Sequence, residues 1–148
     1  MSNANPVPYS TTLHIRDRCL CLHVQRAARA LARRFDEALR PLNLTNGQFS
    51  LLMSLNRPEP PNMAQISSVL AMDRTTLTAA LKPLERRGLI RIVPDERDRR
   101  NRRVALTDAG IALLAQAVPV WAATHDEIDR LLGEDGPQRL RNDLNRLL

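Results

Sequence analysis

The chain of 148 residues is 43% hydrophobic but only 3% aromatic, which suits one ordinary domain with an aliphatic core. Its formal net charge of +6 favours a polyanionic partner, and the basic residues are nearly all arginine, whose planar donors suit phosphates and guanine edges. No apolar run approaches the roughly 18 residues of a membrane span, and the N-terminus lacks the basic-then-apolar pattern of a signal peptide. We therefore expect a cytoplasmic protein without a membrane partner.

A long helix is predicted near the N-terminus, over about residues 12–40. Residues 1–11, which contain two prolines, are expected to form a flexible arm before it. Pro41 ends the helix. An apolar stripe recurs at steps of three or four on this otherwise arginine-rich helix. The stripe consists of Leu20, Val24, Ala27, Leu31, Phe35 and Leu39.

Two short helices follow, and each begins with a capping box. Residues 45–48 and residues 62–65 both pair a Thr or Asn cap with a glutamine three positions later, which can bond back to the cap. The proline-rich loop 57–61 separates the two helices, since it cannot be helical. A tight turn at residues 71–72 then leads from the second helix to the next.

Residues 72–107 predict a helix, a stop, a strand, a charged tip and a second strand. Asp73 is a good N-cap for the helix, and Gly88 suits the left-handed residue that follows it. The apolar run 89–93 and the alternating stretch 101–106 predict the strands. A helix-turn-helix followed by such a hairpin is a winged helix-turn-helix. The expected fold class is mainly α with a small β-wing.

Two more helices are predicted after the wing, so that long amphipathic helices flank the winged domain. Neither end has an obvious partner within the chain. A homodimer with interlocked ends would cover both, and its two-fold symmetry would present two recognition helices to palindromic double-stranded DNA. We therefore expect residues 12–44 and 107–148 to form dimerisation helices, and residues 45–106 to form the DNA-binding domain.

The order and spacing of these segments resemble the multiple-antibiotic-resistance regulator (MarR) family over roughly residues 20–132. The most specific segments are residues 44–49, 73–78, 84–90, 95–100 and 106–110. The resemblance implies a dimeric transcriptional regulator, usually a repressor, that a small ligand or oxidation releases from DNA.

The start of the Asp73 helix carries the side chains expected to meet DNA. They are Arg74, Thr75, Thr76, Thr78 and Lys82. Arg74 is suited to a guanine or a phosphate, and Lys82, further along, to a backbone phosphate. Ala79 stands where relatives are often basic, which removes one base contact. The alternative is that these residues only face solvent.

The wing tip mixes arginines with acids. The resemblance places Arg99 or Arg100 in the minor groove, which attracts arginine where it is narrow. Arg97 is a further candidate contact. We expect Asp98 to pair with a neighbouring arginine, and Asp95 to pair with Arg97 at the turn. The alternative is a merely solvated hairpin.

Two cysteines lie in the predicted first helix. Because Cys19 and Cys21 are two residues apart, they would point to different faces, and no bridge between them is expected. The resemblance places Cys21 where the family's organic-hydroperoxide sensors keep their reactive cysteine. However, Gln25 and Phe35 replace the tyrosines that those sensors need. Two interpretations are open: redox control through Cys21, with Cys19 as a second candidate, or buried cysteines with a structural role only.

The other switch is a small molecule, and the resemblance implies aromatic acids bound between the dimerisation helices and the winged domain. His14, Arg16 and Arg18 are candidate anion contacts, with solvent-exposed residues as the alternative.

Other functions find little support in the sequence. The histidines and cysteines have no metal-ligand spacing, so neither a metal nor another cofactor is expected. No nucleophile–base motif or glycine-rich phosphate loop is present in the sequence, so we do not expect the protein to be an enzyme. A non-specific architectural DNA-binding protein is the remaining alternative, and it would show a steep salt dependence.

Overall fold

The computed structural model of the protein describes residues 4–148, which form two compact units, one up to Arg34 and one from Phe35 to Leu148. The described helices are α1 (Tyr9–Arg18), α2 (Leu20–Leu39), α3 (Asn46–Leu55), α4 (Met63–Leu70), α5 (Arg74–Arg86), α6 (Asp108–Leu132) and α7 (Gly136–Asn145), with a 3-10 turn at Arg40–Leu42. The strands are β1 (Ile90–Pro94) and β2 (Arg102–Leu106). The expected fold class, mainly α with a small wing, is confirmed.

The N-terminal region differs from the single helix predicted over residues 12–40. Helix α1 already begins at Tyr9, inside the expected arm, and it ends at Arg18, because the next residue, Cys19, is extended with a ψ of 106°. The Cys19 sulfur then accepts a hydrogen bond from the Leu22 amide at 3.4 Å, so Cys19 caps the start of α2. The premise that both cysteines share one helix is therefore wrong. Residues 1–3 of the expected arm lie outside the described residues.

Local side-chain caps set the starts of the three helices that follow. Both predicted capping boxes are formed, one at the start of α3 and one at the start of α4. Asp73 caps α5, with its Oδ1 accepting a hydrogen bond from the Thr76 amide at 2.8 Å. Between α4 and α5, Ala71 takes a left-handed conformation with φ of 52°, which makes the predicted turn tight. Together α4 and α5 form the helix-turn-helix.

The core of the second unit lies where α3, α5, the wing strands and the start of α6 meet. Its fully buried side chains are mostly leucine, as the aliphatic composition predicts; they include Leu39, Leu52, Ile66, Leu77, Leu81, Leu84 and Val104. Burying such a side chain contributes about 1.5–3 kcal/mol. Leu77, Leu81 and Leu84 anchor one face of α5, so the opposite face of that helix is left to solvent.

The wing is an antiparallel hairpin, with Ile90 opposite Leu106 and Pro94 opposite Arg102. Gly88 has a φ of +71°, the left-handed stop predicted after α5. The Thr107 side chain caps α6 by accepting from the Gly110 amide at 3.1 Å. None of the helices within residues 4–148 has both the length and the apolar character that crossing a membrane requires.

Candidate nucleic-acid interface

The first turns of α5 present an exposed polar surface. Arg74, Thr75, Thr76, Thr78 and Lys82 are all exposed, as is Ala79. Thr76 Oγ1 donates to Asp73 Oδ2 at 2.8 Å, and Thr78 Oγ1 donates to the Arg74 carbonyl at 2.8 Å. Because these bonds use the hydroxyl protons, the two threonines offer their methyl groups and oxygen lone pairs outward. Such groups suit a thymine methyl or a base-edge donor.

Asp73 is held as a carboxylate at this helix start. The Thr76 amide lowers the pKa of Asp73 below its ordinary value, and the Thr76 hydroxyl lowers it further. The negative charge also sits at the positive end of the helix dipole. The cap therefore fixes the first turn, which carries Arg74 and the threonines.

The wing tip is organised by acids that bond to backbone amides. Asp98 Oδ1 accepts from the Arg100 amide at 3.0 Å, and Asp95 Oδ1 accepts from the Arg97 amide at 2.9 Å. The expected partners are therefore found, Asp98 with Arg100 and Asp95 with Arg97, but the bonds come from the arginine backbone amides and not from the guanidinium groups. An Asp side chain in a turn readily accepts from the backbone amide two residues further along, and this amide is already fixed in position. Arg97, Arg99 and Arg100 are exposed, and none takes part in an ion pair within residues 4–148.

Asp95 has a different ionic partner, which the sequence did not single out. Its Oδ2 lies 3.2 Å from Nε of Arg103. The Arg97 amide lowers the pKa of Asp95 most strongly, with Arg103 contributing, although burial acts in the opposite direction. Arg103 Nη1 also donates to the Pro60 carbonyl at 2.6 Å. A contact 43 residues apart in sequence leaves no local signal that could have revealed it.

The candidate sensor residues lie in the first unit. Cys21 is exposed and Cys19 is half-buried, so the expectation of buried structural cysteines does not hold for Cys21. Gln25 Nε2 donates to the Cys21 sulfur at 3.0 Å, and Arg29 Nη2 donates to Gln25 Oε1 at 3.4 Å. The amide therefore contacts the sulfur from one turn away along α2.

The candidate anion contacts lie on α1, where His14, Arg16 and Arg18 are all exposed. Arg16 Nε pairs with Asp17 Oδ1 at 2.8 Å, so its charge is already partly balanced. In the described part of the chain, no three His, Cys, Asp or Glu side chains come together as a metal site.

The second unit contains an apolar groove between α3, α4 and α6, with a volume of about 430 Å³. Its apolar lining consists of Phe49, Met53, Val69, Leu70, Val118 and Trp121. The Trp121 ring stacks on Phe49 at 6.4 Å and lies 4.9 Å from the His125 ring. Sequence periodicity did not single out this groove, because it takes one wall from each of three helices.

A helix-turn-helix whose second helix exposes its start, followed by an arginine-tipped hairpin, defines a winged helix-turn-helix protein. The model of the MarR family matches residues 44–101. The organic hydroperoxide resistance transcriptional regulator of Bacillus subtilis is 31% identical over 129 residues, covering 87% of this chain and 86% of that protein.

Solved structures agree with this assignment. The M. tuberculosis regulator MosR in complex with DNA has a TM-score of 0.80 and 37% identity, covering 88% of this chain and 93% of that one. The repressor CouR bound to a 23-mer DNA duplex has a TM-score of 0.79 and 32% identity, with 90% and 94% covered. CouR bound to p-coumaroyl-CoA has a TM-score of 0.79 at 29% identity, with the same shares covered. This chain belongs to the MarR family of transcription regulators.

Proposed function

We propose that the protein is a dimeric, sequence-specific repressor of transcription that binds a palindromic DNA site and leaves it when a small effector binds. The observation that carries the proposal is the wing tip. Its acids are bonded to backbone amides, which leaves Arg97, Arg99 and Arg100 exposed and without ion pairs within the described chain. Three cations held at a hairpin tip suit a phosphate-lined groove.

The recognition helix would enter the major groove with the start of α5. Arg74 would contact a guanine or a phosphate, and Thr75, Thr76 and Thr78 would contact base edges and methyl groups. Lys82 lies roughly 12 Å further along the helix axis, at about 1.5 Å per residue, and would meet the DNA backbone. MosR and CouR, which have this fold at 37% and 32% identity, are both solved with DNA.

The proposed dimer uses residues 12–44 and 107–148, while residues 45–106 bind DNA. Support comes from large apolar side chains exposed on the helices of these two regions. They include Leu20, Val24, Leu31, Leu131, Leu140 and Leu144. Exposed apolar surface of this kind is typical of a subunit interface. A two-fold axis would also match a palindromic DNA site.

The proposed effector is a small aromatic molecule that carries an anionic group. The groove lined by Phe49, Met53 and Trp121 has the volume and the apolar, aromatic lining of a ligand site. CouR, at 29% identity, is solved with p-coumaroyl-CoA, which is both aromatic and anionic. Independently of this groove, His14 and Arg18 of the first unit stay proposed anion contacts, with Arg16 a weaker one because Asp17 pairs with it.

A second switch is favoured by the surroundings of Cys21. An exposed thiol is open to an oxidant from solvent, and the Gln25 amide lies 3.0 Å from the Cys21 sulfur. The hydroperoxide regulator of B. subtilis, at 31% identity, is named for a response to such oxidants. Redox control through Cys21 is therefore the alternative to a bound effector, with Cys19 as a second thiol.

The test is binding of the purified protein to the DNA upstream of its own gene and to a scrambled duplex of equal length, across a salt series. Specific binding should be tighter by about a thousandfold or more. It should weaken when an effector or an oxidant is added. If the two duplexes bind equally well at each salt concentration, and both affinities fall steeply as salt rises, the result would instead support a non-specific architectural protein.

A further inference from the structure

The base of the wing is fastened to the loop before α4 by one side chain, Arg103. Its Nη1 donates to the Pro60 carbonyl at 2.6 Å, while its Nε lies 3.2 Å from Asp95 Oδ2. Asp95 is the buried charged residue among residues 4–148, at 8% exposed, and the Arg103 side chain is 27% exposed. A carboxylate is rarely buried without a partner. Arg103 supplies that partner.

The second oxygen of the same carboxylate reaches the wing tip. Asp95 Oδ1 accepts from the Arg97 amide, which closes the turn that begins the tip. The Asp95 amide donates to the Asn101 carbonyl at 3.0 Å and closes the other side. A continuous path therefore runs from Pro60, through Arg103 and Asp95, to the backbone that carries the exposed arginines.

The loop at the other end of this path is held by bonds of its own. The rings of Pro60 and Pro61 fix φ at both positions, and Pro61 restricts the preceding Pro60 to extended backbone. The Pro61 carbonyl accepts from the Val104 amide at 3.0 Å, and Asn62 forms a single β-bridge with Arg103. The hairpin is thus attached to the start of α4 by backbone bonds and by the Arg103 side chain.

We propose that Asp95 and Arg103 are positioning residues for DNA binding, which hold the wing tip in the orientation that lets Arg97, Arg99 and Arg100 reach the minor groove. They act through the tip, because Nε and Nη1 of Arg103 are directed to Asp95 and Pro60 inside the protein. The inference rests on the proposed wing–DNA contact, and it gives Arg103 a role different from that of its exposed neighbour Arg102.

The test measures DNA affinity for Arg103→Gln in two backgrounds, the wild type and Arg99→Ala/Arg100→Ala. In the wild type, Arg103→Gln should weaken binding to the specific site about tenfold, as expected for hydrogen bonds to charged groups. In the Arg99→Ala/Arg100→Ala background it should cost clearly less, because only Arg97 is left at the tip for Arg103 to position. Arg103→Lys, which keeps the charge but not the planar fork, should restore only part of the loss.

Arg102→Gln is the matched control, because it removes the same charge from the adjacent exposed position of β2. Arg102→Gln should weaken DNA binding by the same factor in both backgrounds. Hydrogen exchange gives a readout that needs no DNA: Arg103→Gln should speed exchange at residues 96–101 on the order of tenfold, while the amides of α3 and α5 stay protected.

Two results would overturn the inference in distinguishable ways. Equal binding by the wild type and by Arg99→Ala/Arg100→Ala would refute the proposed wing contact and the positioning role together. If the tip substitutions weaken binding but Arg103→Gln costs the same in both backgrounds, or leaves exchange at the tip unchanged, the wing contact stands and the positioning role is wrong.

Discussion

Replacing Gly110 by alanine should destabilise the joint between the wing and α6. A Cβ at this position would lie 2.1 Å from the Leu89 carbonyl oxygen and 3.1 Å from its carbon. Both are backbone atoms, so no side-chain rotation relieves the clash, and α6 must move away from β1 by about 1 Å to reach ordinary contact. That movement strains the hydrogen bond from the Thr107 amide to the Leu89 carbonyl, now 3.1 Å long.

The expected magnitude follows from opposing effects. Gly→Ala inside a helix ordinarily stabilises it by about 0.5–1 kcal/mol, whereas overpacking costs about 1–3 kcal/mol and sometimes more. Strain on the Thr107 bond adds up to about 1 kcal/mol. We therefore expect Gly110→Ala to lower the free energy of unfolding by roughly 2 kcal/mol.

Urea denaturation followed by circular dichroism, at one fixed protein concentration, measures this loss. Gly47→Ala is the matched control, because its new Cβ would meet only Thr45 Oγ1 at 3.9 Å. It should leave stability unchanged or raise it slightly. An ordinary surface substitution changes the free energy of unfolding by no more than about 0.5 kcal/mol. A change this small for Gly110→Ala would refute the packing argument.

Three further predictions concern DNA binding, the cap of α5 and the thiol. Arg99→Ala/Arg100→Ala should weaken specific DNA binding about tenfold or more in a gel-shift or anisotropy assay and reduce its salt slope, because phosphate and groove contacts are lost; unchanged affinity would exclude the wing contact. Asp73, whose pKa is lowered chiefly by the Thr76 amide, stabilises the fold above its unfolded pKa near 3.8, and this contribution is lost as pH falls through the lower folded value. Asp73→Ala should therefore lower the urea midpoint more at pH 7 than at pH values below 3.8, and an equal loss at both would contradict the capping role. Cys21→Ser should abolish any release from DNA by an organic hydroperoxide, whereas a normal response of this variant would exclude redox control through that sulfur.

Capping is the part of the fold that sequence predicted best. Thr45 and Gln48, like Asn62 and Gln65, form reciprocal bonds within four residues, so both halves of the interaction are visible in the sequence. The break at Cys19 was missed because no proline or glycine marks it. A cysteine sulfur caps α2 there, and cysteine is not among the usual capping residues.

The position of the candidate site could be predicted from the sequence, but the ion pair that holds the wing could not. Exposed residues at the start of α5 follow from the buried positions of Leu77 and Leu81, which helical spacing reveals. The pairing of Asp95 with Arg103 depends on strand register and on Pro60, which is remote in sequence. Composition alone offers several arginines near each acid and cannot choose among them.

The most direct test of the central claim is selection of DNA by the purified protein from a pool of random duplexes, followed by sequencing. We predict enrichment of one palindromic motif, with half-sites whose centres lie about 10 base pairs apart, since a two-fold dimer places its recognition helices one helical turn apart. Loss of that enrichment in Arg74→Ala, with retained overall folding, would assign base contact to α5. Recovery of duplexes without any common motif would contradict sequence-specific regulation by this chain.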